Sequence, residues 1–281
     1  IESKSLISAN ALAVTGGSVL VVLGGGLGVA IRNIFDSLAV ADHADALMVL
    51  FASGGYLTAS LLALRLGRKE IGPLPHEIKE ASFKEGLIEM REGFAFLRTH
   101  QDAIRGILAT AVQRGGITAL TLTALLLERN SFNSPDNPEA GLKGFGIVLT
   151  IAGIGITLGA LTAPYGVARF GRHRWIRWSL LASAFGPLIL VVWQTEIALA
   201  LTGFFVALCG QNVKVTNDAL VQSKIDDYYR GRVFAVYDVL VNGAIVSGGL
   251  IAALMLPTSG VTPWVPALVS AIYLLVALRL L

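Results

Sequence analysis

The sequence predicts an all-α membrane protein, a polytopic bundle of about eight transmembrane helices. Three observations carry this. Hydrophobic residues make up 54% of the 281 and charged residues 15%, against about 25% charged in an average soluble domain. The charges gather between long apolar runs rather than within them. Runs of about 20 residues, rising 1.5 Å each, cross the roughly 30 Å hydrocarbon core. The competing class is a large soluble core of buried helices, but no soluble domain of this size buries eight such segments.

In chain order, the expected spans are 8–31, 44–66, 104–127, 144–167, 175–193, 197–221, 233–256 and 263–281. Trp175, Trp178 and Trp193 bound the short fifth span as interfacial anchors would. Between the second and third spans lies an amphipathic helix. Phe83, Leu87, Met90, Phe94 and Leu97 recur at i, i+4, i+7, i+11 and i+14, one stripe of a 3.6-residue helix. It is expected to lie along the inner membrane surface, or simply to connect two bundles. The links alternate in charge. Those at 65–103, 168–178 and 222–232 are basic, and the turns 194–196 and 257–262 carry no basic residue. Short basic loops stay cytoplasmic, so both ends of the chain are expected inside. The chain opens Ile1-Glu2-Ser3, without Met or a leader, and reads as a fragment of a longer one.

Ionisable groups inside a span are costly and mark functional positions. Arg114 sits near the centre of the third span, with Thr110, Thr118 and Thr121 at i−4, i+4 and i+7 and Gln113 beside it. It either binds another helix's carbonyls or lines a cavity that handles substrate or ions. In a cavity its acceptor is an anionic substrate group, a carboxylate elsewhere in the longer chain, or Asp238. Lys214 and Asp218 are spaced i, i+4, as are Asp238 and Asn242. The two spans run antiparallel, so a Lys214–Asp238 contact would neutralise both. Alternatively these groups reach the headgroup region. The four histidines fall in links and Cys209 is the single cysteine. No metal site, cofactor or disulfide is expected. No paired carboxylates or nucleophile–base pair suggest an enzyme, and no nucleic-acid partner is expected.

The link "PYGVARFGRHRWIRW" (Pro164 to Trp178) holds four arginines and no acid. Its Arg169-x-Gly171-Arg172 core resembles the Gly-x-x-x-Asp-Arg-x-Gly-Arg-Arg loop signature of the major facilitator superfamily. Pro164 replaces the first Gly, Ala168 replaces Asp, and His173 interrupts the final Arg pair. "LVQSKIDDYYRGRVFAVYD" (Leu220 to Asp238), with Arg230-Gly231-Arg232, resembles the loop before the eleventh helix of drug-efflux-like members. "SLISANAL" (Ser5 to Leu12) resembles the start of their fifth helix. "GGGLGV" keeps Gly24 and Gly28 of an exporter Gly-Pro-x-x-Gly-Gly motif. Close helix packing is the preferred reading of these two over an antiport role, and it explains Gly155 and Gly159 outright.

The resemblance implies a division of the chain. Residues 1–66 would be the last two helices of an N-terminal half, 67–103 a cytoplasmic connector, and 104–281 the C-terminal six-helix half. It implies a monomeric secondary transporter in a bacterial inner membrane. Such a protein exports a small molecule by alternating access, and proton antiport would be its coupling. Arg169 and Arg172 would latch one state against the facing half. The rival reading is a non-transporting membrane protein of the same fold, a sensor or an assembly partner.

Overall fold

A computed structural model of the chain describes residues 16, 17, 20, 24, 27, 28, 30–32, 34, 35, 43–65, 83–225 and 227–279. They belong to two compact units, Leu20–Ile88 and Glu89–Leu281 with Ile1–Val19. The expected first span, 8–31, lies mostly outside the described residues, as do "SLISANAL" and the link 66–82.

In the smaller unit the complete helix is α1 (Ala44–Ala63), with an apolar stretch long enough to cross a bilayer. Helix α2 (Phe83–Thr99) is the expected amphipathic helix, and from Glu89 onward it belongs to the larger unit. Its stripe does not act as one face. Leu97 is fully buried and Met90 packs beside it, against Val233, Val236 and Tyr237. Leu87 and Phe94 stay exposed. Gly93 is where the backbones come close, because a Cβ there would meet the Arg232 carbonyl carbon at 2.8 Å. The C-terminal part of α2 therefore docks on protein, which a surface-lying helix need not do.

The larger unit is a helical bundle of α3 (Gln101–Leu127), α4 (Pro138–Phe170), α5 (Arg172–Val192), α6 (Glu196–Lys224), α7 (Asp227–Met255) and α8 (Trp264–Arg279). The sequence marks their ends. Asn137 accepts from the Ala140 N–H at 3.2 Å and Pro138 follows it, which starts α4. Thr195 caps α6 by accepting from the Ala198 N–H at 3.3 Å. Gly171, at φ 81° and ψ 158°, ends α4 and opens α5 in a single residue. That backbone region belongs essentially to glycine.

Helix α6 packs against α4, α5 and α3; α3 also packs against α7 and α8, and α5 against α8. Small residues set the closest approaches. A Cβ at Gly155 would stand 3.2 Å from the Leu208 N, and one at Gly159 2.9 Å from the Gln211 Cβ, so this pair fits α4 to α6. Gly115 does the same for α3 against the Ala244 carbonyl of α7. The exporter-like glycines behave differently. Among the described residues, Gly24 has no neighbour within 4 Å of a built Cβ, and Gly28 meets only Met48 at 3.7 Å.

Among the described residues five helices are long and apolar enough to span a membrane: α1, α4, α5, α6 and α7. Helix α8 is apolar but short, at 16 residues. Helix α3 has the length, at 27 residues, but not the hydropathy. Its polar residues are the cause, and it packs against α6, α7 and α8. Trp178 and Trp193 are exposed, as interfacial anchors should be. Trp175 is not one. Its indole N–H donates to Asn212 Oδ1 at 2.9 Å, tying α5 to α6.

Candidate functional site

Arg114 lies at the middle of α3 and is half-buried. Its guanidinium donates to Gln211 Oε1 on α6 at 3.3 Å and stands within electrostatic range of Asp218, Tyr237 and Tyr273. Gln211, Lys214 and Asp218 fall at i, i+3 and i+7, so they share one face of α6. Lys214 Nζ pairs with Asp218 Oδ2 at 2.6 Å. The Tyr237 hydroxyl of α7 donates to Asp218 Oδ1 at 2.8 Å, and Asn217 and Thr110 flank the same hydroxyl. Three helices thus contribute to one polar cluster: Thr110 and Arg114 from α3, Gln211 to Asp218 from α6, and Tyr237 from α7. It carries two cations and one carboxylate.

The expected Lys214–Asp238 contact is not made. Each residue of a helix points about 100° from the last. Tyr237 is the α7 residue turned toward α6, so Asp238 falls on the exposed side with Asn242. Asn242 donates to the Asp238 backbone carbonyl at 2.8 Å. The Lys214 ammonium is satisfied one turn along its own helix instead.

Gln113 also reaches α6, but about a turn further from the polar cluster. It is fully buried and donates to the Val206 carbonyl at 3.2 Å, where Gly210 leaves room for its amide. Its own backbone carbonyl accepts from the Tyr273 hydroxyl at 2.8 Å. Gln113 and Tyr273 therefore join α3 to α6 and α8. The threonine stripe is largely self-satisfied. Thr110, Thr118 and Thr121 each donate to the carbonyl four residues back, at 2.9 to 3.0 Å. An apolar cavity of about 60 Å³ opens beside Gly116 and Tyr273 between α3, α7 and α8. It has no charged lining; a more polar cavity of about 390 Å³ lies at the start of α3, lined by His100, Asp102 and Lys224.

Of the loop arginines, Arg169 lies over the Phe170 ring at 5.6 Å, and Arg172 donates to Ser223 Oγ at the end of α6 at 2.5 Å. Arg232 pairs with Glu92 at 2.9 Å and Glu89 at 3.4 Å on α2, and covers the Tyr228 ring at 4.7 Å. Arg230 is half-buried, and Gly231 lies in open space.

Sequence reasoning passed over Gln211, Asn212, Asn217 and Tyr237. A signal was present: "QNVKVTND" (Gln211 to Asp218) holds six polar residues in eight inside an apolar span. Asn217 is fully buried, with neither side-chain atom in a hydrogen bond of ordinary geometry. Asn212 exchanges hydrogen bonds with Thr162 of α4 as well as Trp175.

Long apolar helices around a charged, part-buried cluster define a polytopic membrane protein with a polar site inside its bundle. Residues 106–281 match the family described as the Major Facilitator Superfamily. The chain belongs to that family. It is 25% identical over 276 residues, 98% of its length, to uncharacterised MFS-type transporters of Mycobacterium bovis and Mycobacterium tuberculosis. It spans 61% of the length of these relatives. It is also 30% identical over 122 residues, 42% of its length, to a Na(+), Li(+), K(+)/H(+) antiporter of Planococcus maritimus, covering 29% of that protein. No solved structure matches the chain.

Proposed function

We propose that the chain is the larger part of a secondary active transporter that exports a small molecule by alternating access, with proton antiport as the coupling. The observation that carries this reading is Arg114, a guanidinium at the middle of a helix enclosed by three others, held by one neutral acceptor. A purely structural arginine has its donors met by carbonyls or a carboxylate. One left with a single amide oxygen suits a site that receives something. The mycobacterial relatives carry the name transporter, and the Planococcus relative is named for cation–proton exchange. Both support transport over a sensor, an assembly partner or an enzyme.

In this reading residues 104–281 work as the C-terminal six-helix half of a monomer in a bacterial inner membrane, with residues 1–66 belonging to the other half and 67–103 connecting them. The Arg169–Arg172 turn and the Arg230–Arg232 segment face the cytoplasm and bias one state against the other. Asp238, on the exposed side of α7, is the acid left available for proton coupling in this reading.

The test is flux per folded molecule in the full-length protein, with and without a proton gradient. Arg114→Lys keeps the charge but loses the paired geometry of the guanidinium, so flux per folded molecule falls. Arg114→Gln lowers it further while the protein still reaches the membrane. Normal flux per folded molecule in Arg114→Gln would refute the reading. Impermeant-thiol labelling of His173→Cys in intact cells, in a Cys209→Ser background, would overturn the orientation.

A further inference from the structure

We propose that Arg114 and Lys214 form a binding site for a singly charged organic anion, with Asp218 as the built-in competitor that occupies Lys214 when the site is empty. The inference rests on the transport reading, in that the anion is then the transported substrate or part of it.

The argument is a charge count. The cluster between α3, α6 and α7 holds the Arg114 guanidinium, the Lys214 ammonium and the Asp218 carboxylate, which leaves one positive charge in excess. Both oxygens of Asp218 have partners, Lys214 on one at 2.6 Å and the Tyr237 hydroxyl on the other at 2.8 Å. Its side chain is 14% exposed. Arg114 feels this charge but does not bond it, and spends one donor on Gln211. A guanidinium has five N–H donors in a planar fork. On a half-buried side chain, donors turned to the protein are costly unless acceptors meet them. A carboxylate fits, because it accepts two parallel N–H bonds from the fork. Lys214 stands on the same α6 face as Gln211 and its side chain is 33% exposed, so the ammonium is reachable. A second carboxylate arriving at Arg114 draws on Lys214 and loosens the Asp218 pair. Tyr237 still holds Asp218 in place. Asp238, the remaining acid considered for Arg114, sits on the exposed side of α7.

The experiment is thermal stabilisation of the purified full-length protein by benzoate, with benzamide and benzylamine as neutral and cationic probes of the same size. Benzoate raises the melting temperature and the other two do not. Arg114→Gln weakens the benzoate response roughly tenfold or more, and Arg114→Lys weakens it less, because charge without the fork remains. Asp218→Asn strengthens it several-fold, since Lys214 is released while the amide oxygen still accepts from Tyr237. A merely structural Arg114–Lys214–Asp218 cluster predicts the opposite for Asp218→Asn, a loss. No stabilisation by benzoate, equal stabilisation by benzamide, an unchanged response in both Arg114 variants, or a weaker response in Asp218→Asn each overturns the proposal. Arg114-dependent benzoate binding in a protein that shows no flux would uphold the site and refute the transport reading.

Discussion

Two glycines of this chain sit in nearly the same sequence setting, Arg169-Phe170-Gly171-Arg172 and Arg230-Gly231-Arg232. Alanine should act on them with opposite sign. Neither glycine has an atom within 4 Å of a built Cβ, so steric contact plays no part in either case. Gly171 holds φ 81° and ψ 158° between α4 and α5, a region where a residue with a side chain costs about 1–3 kcal/mol. Gly231 lies inside α7 without a positive φ, where alanine gains about 0.5–1 kcal/mol over glycine. The two variants should therefore differ by about 1.5–4 kcal/mol, tenfold or more in the folded-to-unfolded ratio. The assay is the temperature at which half the monodisperse peak survives in detergent size-exclusion. About 2–4 °C is expected per kcal/mol for a domain of this size. Gly171→Ala falls below the wild type and Gly231→Ala rises to it or above. A Gly171→Ala protein as stable as the wild type would refute the claim that this turn depends on the left-handed backbone.

Two further outcomes follow from single contacts. Trp175→Phe removes the indole bond to Asn212 and should cost about 1 kcal/mol; the same measurement on Asn212→Ala, alone and combined, should show the two losses to be less than additive. Glu128 stands beyond the end of α3, 2% exposed. Burial, then the charge of Glu196, pushes its carboxyl above the usual range, and a hydrogen bond from Asn133 only partly offsets this. The folded state thus holds the proton more tightly than the unfolded chain, whose carboxyl titrates at about 4.3. The stability it confers is complete below that pH and is lost as pH rises through the folded value. Glu128→Gln should flatten the fall in melting temperature between acidic and neutral pH, and an unchanged slope would contradict the assignment.

The bundle was legible in the sequence because its signals are local. Apolar run length and basic links mark spans, and Gly155 with Gly159 reads as a packing pair from spacing alone. Arg114 stood out because a charge in an apolar run needs no partner to be noticed. What could not be read was rotation. The spacing of Lys214 and Asp218 was visible, but which α7 residue meets them depends on how that helix is turned about its axis. A difference of one position exchanges Tyr237 for Asp238. The partner of Trp175 was hidden for a similar reason, since a tryptophan at a span end gives no sign that Asn212 of α6 stands beside it. Gly24 carried a motif's spacing with no close neighbour among the described residues, because the motif fixes residue types and not what packs on them.

The five residues after α3, Glu128–Phe132, continue as a π-helical turn. Two consecutive side chains of that turn reach the short link between α7 and α8. Asn130 donates to the Thr258 carbonyl at 2.5 Å and Ser131 to the Ser259 carbonyl at 2.7 Å. Gly260, at φ 76°, packs against the Leu126–Leu127 backbone beside them. Two bonds to adjacent carbonyls prevent swivelling as well as separation, so the pair acts as a rivet rather than a pivot. At this end α3, α7 and α8 are obliged to travel together. The opposite ends are joined in a different way, by apolar packing of Ala103 and Ile107 of α3 against Val233 and Val236 of α7, so polar bonds close this helix pair at one end and buried side chains at the other.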